Sequence, residues 1–259
     1  MARGKHLKKV KKSYKVLIFI LLIIIIASVI YIVKYFLNKE EVKEESNLLN
    51  TINIDKADIT PDKTERMLQV EELQKKNSDI IGWIEIEGTN INYPVLQGED
   101  NSFYMNRNYD KEESVYGALF LDAGYDWDIE SNNFLIYGHN MQDGSMFNNL
   151  LNYADEDYYK EHPIIRFTTT EEDAEYEIIS AFRSRVYYKS EKNVFRYYYF
   201  INPETEEEYN EFVEDAKDAS LYDTGKTAEY GDQLITLSTC AYHTEDGRFA
   251  VVARKISDK

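Results

Sequence analysis

Two kinds of hydrophobic pattern divide the chain: a continuous apolar run near its start and short alternating stretches beyond residue 80. The run, Val16 to Val33, contains no charged residue and one small polar residue, Ser28. A helix of that length spans roughly 27 Å, which is close to the hydrocarbon thickness of a bilayer. The pattern therefore predicts a transmembrane signal-anchor helix over residues 16–33.

The pattern changes twice before the alternating stretches begin. Residues 34–60 are polar, lack a sustained period and predict a stalk. After Pro61, apolar residues recur at helical spacing among charged ones and predict an amphipathic helix over 62–77. We expect one folded domain over residues 61–259.

From residue 80 onward, alternation and enrichment in β-branched and aromatic residues predict eight short strands. They cover residues 81–86, 91–95, 118–121, 133–137, 164–168, 176–182, 233–239 and 248–254. Eight strands with irregular connections are typical of a closed barrel or a sandwich. Helical patterns over 145–159 and 203–222 interrupt the strands, and the second places a helix before the last two. The predicted fold class is therefore mainly β.

Charge is distributed unevenly along the chain. The net charge is −17, yet residues 1–15 hold seven lysines and arginines and no acid, so the remainder carries 23 basic against 47 acidic residues. Such an acidic body argues against nucleic acid as a partner. Basic flanks stay in the cytoplasm, so we expect residues 1–15 to be cytoplasmic and the C-terminal body to be extracellular. A cleavable signal peptide is the alternative, although the apolar run is long for one and no clean A-x-A site follows it.

The exported body contains a single cysteine, Cys240, which follows the predicted strand 233–239. A thiol attacks a carbonyl as the thiolate, so a reactive cysteine needs a base or a positive group nearby. Arg248 begins the next predicted strand, and hairpin pairing would place both residues beside one spot. His139 follows the strand 133–137 and is the candidate base; His243, beside Cys240, is its competitor. An inert buried thiol is the structural alternative, and the other candidate arginines are Arg183, Arg185 and Arg254.

Alternation along the strand before the cysteine predicts the environment of its two faces. One face is purely apolar and predicts core contacts, whereas the face that carries the cysteine is the more polar one. The first face holds Ile235 and Leu237, and the second holds Leu234, Thr236, Ser238 and Cys240.

Two further clusters each have a structural and a functional interpretation. Four acidic residues loosely resemble a calcium loop, but the glycine and the closing glutamate of such a loop are absent, so we expect no metal. They are Asp122, Asp126, Asp128 and Glu130. The aromatic run over 197–200 favours packing within a strand, and the lining of a peptide groove is the alternative.

Several motifs, taken in order, resemble those of class B sortases. They are NYPVLQGEDNSFYMN at 92–106, GALFLD at 117–122, YGHN at 137–140 and TLSTC at 236–240, with Arg248 shortly after. Together with the helix before the last two strands, they are more similar to class B than to class A, over roughly residues 62–256. The resemblance implies an eight-stranded sortase barrel with a site formed by Cys240, His139 and Arg248. It also implies that Asn101 and Ser238 lie near a bound peptide.

The resemblance further implies a cysteine transpeptidase that uses no cofactor. Such enzymes cut the sorting signal of a surface protein after Thr and hold the acyl fragment as a thioester. They then transfer it to an amine of peptidoglycan or of its lipid-linked precursor. A hydrolase that releases the same thioester to water is the closest alternative, and a non-catalytic wall-binding module is a more distant one.

The basic flank and the uncharged span together predict the topology of the chain. Protease added to intact cells from which the wall has been removed should degrade residues 46–259, as followed by immunoblotting with an antibody against the C-terminal body. Protection of that region would contradict the exported orientation.

Overall fold

The computed structural model describes residues 2–128 and 133–256, which divide into two compact units, Met1–Glu44 and Glu45–Lys259. Helix α1, Ala2–Ser46, accounts for the first unit. Its segment Tyr14–Ser46 is long and apolar enough to cross a membrane by length and composition, and the large apolar side chains between Val16 and Leu37 are exposed. A signal sequence meets the same criteria, so insertion in a membrane stays a prediction.

The second unit is built around a closed barrel of eight strands. The strands are β1 Ile80–Glu85, β2 Asn92–Leu96, β3 Leu119–Leu121, β4 Asn133–Tyr137, β5 Ile164–Thr168, β6 Asp173–Arg185, β7 Leu234–Cys240 and β8 Gly247–Lys255. All eight predicted strands are present, and the prediction of a closed barrel is confirmed. β6 extends further at both ends than its apolar pattern indicates, because it pairs with β5 at one end and β8 along most of its length.

The strand order around the barrel is β1-β2-β3-β4-β7-β8-β6-β5. The pairs β2/β3 and β4/β7 are parallel and the others are antiparallel. Parallel strands need a long crossover, and the chain between β4 and β7 contains β5, β6 and two α-helices. The β4/β7 register places Tyr137 beside Ser238, while β7 and β8 place Cys240 opposite Arg248.

Helix α2, Glu65–Lys76, confirms the predicted amphipathic helix and begins at the N-cap Thr64, whose Oγ1 accepts a bond from the Met67 amide. Its buried apolar face packs against Ile80 and Trp83 of β1. Leu48, from a 3-10 helix over Leu48–Thr51, joins the same cluster. Part of the segment predicted to be a stalk therefore packs on the barrel unit.

The helix predicted over residues 145–159 is wrong in type and extent. The chain forms a 3-10 helix at Asn148–Ala154, then a separate helix α3 at Glu156–Glu161. Asp155 lies between them in an extended conformation and its side chain accepts from the Asp157 amide. As the N-cap of α3, Asp155 starts that helix and separates it from the preceding 3-10 helix.

Helix α4, Glu206–Ala219, is the helix predicted before the last two strands. Its buried side chains pack on the outer face of β4, β6, β7 and β8, in one cluster with Leu135, Leu234, Ala250 and Val252. The cover explains why both faces of β7 are buried from Leu234 to Thr239. Ile235 and Leu237 are buried, as predicted for the apolar face, and the more polar face is buried as well because a second core lies outside the barrel.

Phe212 at the centre of α4 tests this second core. It is buried and its ring stacks on Phe200 with centroids 3.9 Å apart. In a soluble protein comprising residues 45–259, Phe212→Ala should lower the free energy of unfolding by about 3 to 5 kcal/mol, measured by urea denaturation. The exposed neighbour Glu214 is the control, and Glu214→Ala should change that free energy by less than about 0.5 kcal/mol. Equal effects of the two changes would contradict a packed outer core.

Candidate active site

A cavity of about 280 Å³ opens where β4 and β7 end and β8 begins. All five residues that the sequence singled out line it: Asn101, His139, Ser238, Cys240 and Arg248. The rest of the lining is largely apolar and aromatic, from Met105, Phe120, Tyr137, Gly138, Val186, Tyr197, Tyr198 and Thr239. The arrangement places one thiol, one imidazole and one guanidinium around a pocket with a hydrophobic wall.

Cys240 and Arg248 are directly opposed in the antiparallel β7/β8 pair. Residues so paired have side chains on the same face, which here is the outer face of the barrel. The hairpin is tight, since Ala241 N donates to Gly247 O at 2.9 Å, and a Cβ on Gly247 would lie 2.0 Å from the Ala241 carbonyl oxygen. Only glycine therefore fits at the residue that brings Arg248 beside the cysteine.

His139 is held by backbone bonds on both sides. Gly138 N donates to Ser238 O at 3.1 Å, the Thr239 hydroxyl donates to Gly138 O at 2.7 Å, and Phe147 N donates to His139 O at 2.9 Å. A Cβ on Gly138 would lie 2.4 Å from Leu119 Cδ2 and 2.6 Å from Phe147 Cδ2. The close fit of Gly138 fixes the point at which the imidazole enters the cavity.

Burial lowers the pKa of His139 below its ordinary value. The imidazole is therefore neutral at pH 7 and can accept a proton. The competitor His243 is exposed and does not line the cavity, and His162 contacts the Glu87 carbonyl oxygen through Nδ1 at 2.8 Å. Of these three histidines, His139 is therefore the one that lines the same cavity as Cys240.

Among the four candidate arginines, Arg248 lines the cavity and the others do not. Its Nη1 donates to the carbonyl oxygens of Asp246 and Gly247, at 3.3 and 3.0 Å, and no carboxylate of the described residues forms a salt bridge with it. By contrast, Arg185 pairs with Glu191, and Arg254 pairs with Glu177 and Asp232. The charge of Arg248 is therefore not neutralised by a protein partner within the described residues.

The aromatic run forms part of the cavity wall. Tyr197–Tyr199 is a 3-10 helix, so the expectation of packing within a strand is wrong, and Tyr197 and Tyr198 line the cavity instead. The Tyr197 hydroxyl bonds to the buried Ser238 Oγ at 2.7 Å. Burial raises the pKa of Tyr197 to about 12, which keeps its hydroxyl protonated. Ser238 is thus hydrogen-bonded to Tyr197, another residue of the cavity wall.

Asn101 is exposed at the cavity edge, but its amide is tethered on both sides. Nδ2 donates to Asp122 Oδ2 at 2.8 Å, and Oδ1 accepts from Ala123 N at 2.7 Å. Asp122 also accepts from the Tyr137 hydroxyl at 3.0 Å and from Gly124 N at 2.8 Å. A buried carboxylate therefore lies directly behind this part of the wall.

Asn140 is a contact that the sequence reasoning missed. Its Nδ2 donates to the Cys240 carbonyl oxygen at 2.9 Å, and its Oδ1 accepts from Asn148 Nδ2 at 2.7 Å. The residue therefore ties the loop after His139 to the backbone of the cysteine. Asn140 belongs to the YGHN motif, and its position next to His139 in that motif is the sequence feature that could have identified it.

The acidic segment has no cluster suited to a metal among the described residues. Asp122 is committed to the three donors given above, and Asp126 Oδ1 accepts from the Asp128 amide at 2.9 Å. Glu130 lies outside the described residues. The expectation of no metal stays a prediction.

Comparisons with known proteins agree with this geometry. The Sortase domain model matches residues 84–256. Sortase B of Staphylococcus aureus (strain NCTC 8325 / PS 47) is 33% identical over 190 residues, which cover 73% of this chain and 75% of that protein.

Two solved structures share the fold. A Staphylococcus aureus sortase B–substrate complex is 30% identical with a TM-score of 0.64, covering 74% of this chain and 87% of that one. A crystal structure of sortase B from Bacillus anthracis is 30% identical with a TM-score of 0.72, covering 88% of this chain and all of the other. The chain therefore belongs to the sortase family, in its class B branch.

Proposed function

We propose that this sortase is a cysteine transpeptidase with Cys240 as nucleophile, His139 as acid and base and Arg248 as oxyanion stabiliser. The observation that carries the proposal is that these three residues line one cavity beside an aromatic wall. Membership of the sortase family supports the reaction class, and the role of each residue is argued from its surroundings.

The first half of the reaction forms an acyl-enzyme. The neutral His139 imidazole accepts the thiol proton as Cys240 Sγ attacks the carbonyl carbon after Thr in the sorting signal. The developing oxyanion is stabilised by the Arg248 guanidinium, which has no competing carboxylate among the described residues. The imidazolium then gives its proton to the leaving amine, the peptide bond breaks, and a thioester remains on Cys240.

The second half of the reaction reverses the roles. An amine of peptidoglycan or its lipid-linked precursor attacks the thioester carbon, His139 takes the amine proton, and the cysteine sulfur leaves and is reprotonated. The new amide joins the surface protein to the wall. No cofactor is needed, because the nucleophile, the acid and the oxyanion donor all come from the chain.

We assign substrate-binding roles to Asn101 and Ser238. Asn101 presents an amide at the rim of the cavity, and Ser238 supports the wall through its bond to Tyr197. The apolar remainder of the lining suits the side chains of an extended peptide. The partner proteins are surface proteins bearing a sorting signal.

The cellular setting proposed for the enzyme follows from its N-terminal segment. The apolar helix would anchor the chain in the cell membrane by a single pass, with residues 1–15 in the cytoplasm and the catalytic unit outside. The site would then face the compartment in which wall amines are found.

The site residues are tested by substitution. Cys240→Ala and His139→Ala should each abolish turnover of a sorting-signal peptide and leave the melting temperature nearly unchanged, since neither removes a large core side chain. Arg248→Lys should lower kcat by about 10²- to 10³-fold, because lysine keeps the charge but not the geometry of the donors.

Matched controls are His243→Ala and Arg254→Lys, which alter a histidine and an arginine outside the cavity and should keep near-normal turnover. Full activity of Arg248→Lys would remove Arg248 from the mechanism. An inactive His243→Ala together with an active His139→Ala would reassign the base.

Transfer and hydrolysis share the thioester and must be separated by the acceptor. An amine is a stronger nucleophile than water, and an enzyme that orients it makes the attack effectively intramolecular. We expect peptides of the form Pro-x-Thr-Gly or Pro-x-Thr-Asn to be cut after Thr. An added wall-derived amine should divert the acyl fragment into an amide, and hydroxylamine should release a hydroxamate, both identified by mass spectrometry. Free acid as the only product across a panel of amines would favour the hydrolase.

A further inference from the structure

Asp122 is a buried carboxylate without a cationic partner among the described residues, placed behind the cavity wall. It is 5% exposed and follows β3, where its backbone N–H donates to Leu135 O at 2.8 Å. Three neutral donors satisfy its oxygens: the Gly124 amide on Oδ1, and Asn101 Nδ2 and the Tyr137 hydroxyl on Oδ2. Burying a carboxylate is costly unless its acceptor sites are filled. The three donors offset the cost of burying Asp122, and the carboxylate in turn holds the three donors in place.

The contacts of Asn101 permit only one orientation of its amide. The Asp122 carboxylate accepts from Nδ2 and the Ala123 amide donates to Oδ1. A flipped side chain would oppose N–H to N–H and carbonyl oxygen to carboxylate. Because Nδ2 carries two protons and one is bonded to Asp122, the other is left to face a ligand in the cavity.

The hydroxyl of Tyr137 is oriented by the same carboxylate. Its proton is directed at Asp122 Oδ2, so its oxygen lone pairs are left for donors from the cavity that Tyr137 lines. Burial, followed by the charge of Asp122, raises the pKa of Tyr137, and the hydroxyl keeps its proton. Asn101 and Tyr137 therefore present one N–H donor and one oxygen acceptor on the same wall.

We propose that Asp122 is a positioning residue that fixes this donor and acceptor so that they pair with the C=O and N–H groups of a bound peptide's main chain. The ligand class rests on the proposed function, whereas the orientation of the two side chains does not. An extended peptide exposes both groups along its edge, and main-chain pairing of this kind recognises a segment independently of its side chains. Asp122 itself does not line the cavity, so it acts through Asn101 and Tyr137.

The test variant is Asp122→Asn, which keeps the shape but leaves one acceptor oxygen for three donors. The matched control is Asp173→Asn, since the Asp173 side chain is also largely buried and accepts from Arg166, Thr168 and Thr64, none of which lines the cavity. Both changes lower stability by removing a buried carboxylate. Only Asp122→Asn should alter peptide recognition.

The orientation is measured first, without a ligand. In the full-length chain in detergent micelles with ¹⁵N-labelled asparagine, the side-chain amide signals of Asn101 are assigned by their loss in Asn101→Ser. Asp122→Asn should speed the exchange of these amide protons with water by about three- to tenfold, because a neutral amide oxygen is a weaker acceptor than the carboxylate that it replaces. Unchanged exchange would overturn the proposed orientation.

Peptide recognition is measured next, in the Cys240→Ala background, with a peptide containing Pro-Ala-Thr-Asn. Asp122→Asn should weaken binding by about three- to tenfold, and Asp173→Asn should leave it unchanged. In chains with an intact cysteine, Asp122→Asn should not alter the rate at which iodoacetamide alkylates Cys240. Equal losses of affinity in both aspartate variants would reduce the effect to general destabilisation and overturn the proposal.

A set of peptides in which single main-chain N–H groups are replaced by ester oxygens tests whether Asp122 orients the Tyr137 hydroxyl or only stabilises the fold. At one position of the peptide, the main-chain N–H donates to the Tyr137 hydroxyl oxygen, and an ester oxygen at that position removes the donor. This replacement should weaken binding to the wild-type chain. It should weaken binding to Asp122→Asn much less, because the Tyr137 hydroxyl can rotate there and donate its own proton. The proposal would be overturned if no ester replacement weakened binding to the wild-type chain, or if the same replacement weakened binding to the wild-type chain and to Asp122→Asn equally. If the peptide binds but the wild-type chain does not cut it, the proposed function fails while the inference on Asp122 stands or falls by these measurements. If the peptide does not bind at all, the peptide-reading role of Asp122 fails too.

Discussion

The parallel pairing of β4 with β7 is the constraint on which the whole site depends. Because parallel strands end at the same edge of a sheet, the residues that follow Tyr137 and Ser238 come together although 100 positions separate Asn140 from Cys240. β8 then runs back along β7 and delivers Arg248 opposite the cysteine. Two registers thus bring an imidazole, a thiol and a guanidinium to one rim.

The outer face of the barrel is the second determinant, because it forms both a packed core and the wall of the cavity. α4 and the 3-10 helix Tyr197–Tyr199 cover the outer side of β7, and the cavity opens where this cover ends. The half-buried position of His139 lowers its pKa through lost solvation, so the same packing that stabilises the fold sets the protonation of the imidazole.

Hydrogen bonds to buried groups supply the precision that hydrophobic packing lacks. Ser238, Thr239, Asn140 and Asp122 each connect a cavity residue or its backbone to a different element. Such bonds contribute modestly to stability but strongly to geometry, since a buried polar group tolerates few alternative partners. Fold membership alone does not assign these roles, because sites are built on folds by individual side chains.

The sequence by itself determined the eight strands and the helix before β7, and it singled out the cysteine, histidine and arginine that line one cavity, because alternation, helical period and short motifs are local signals. Only the tertiary structure decided which strands are parallel, that the polar face of β7 is covered, and that Asp155 splits a helical stretch. It also decided that Asp122, singled out as a loose calcium ligand, lies behind the cavity wall and bonds to Asn101 and Tyr137. These outcomes depend on contacts between residues far apart in the chain, and such contacts leave no period or spacing for a single sequence to reveal.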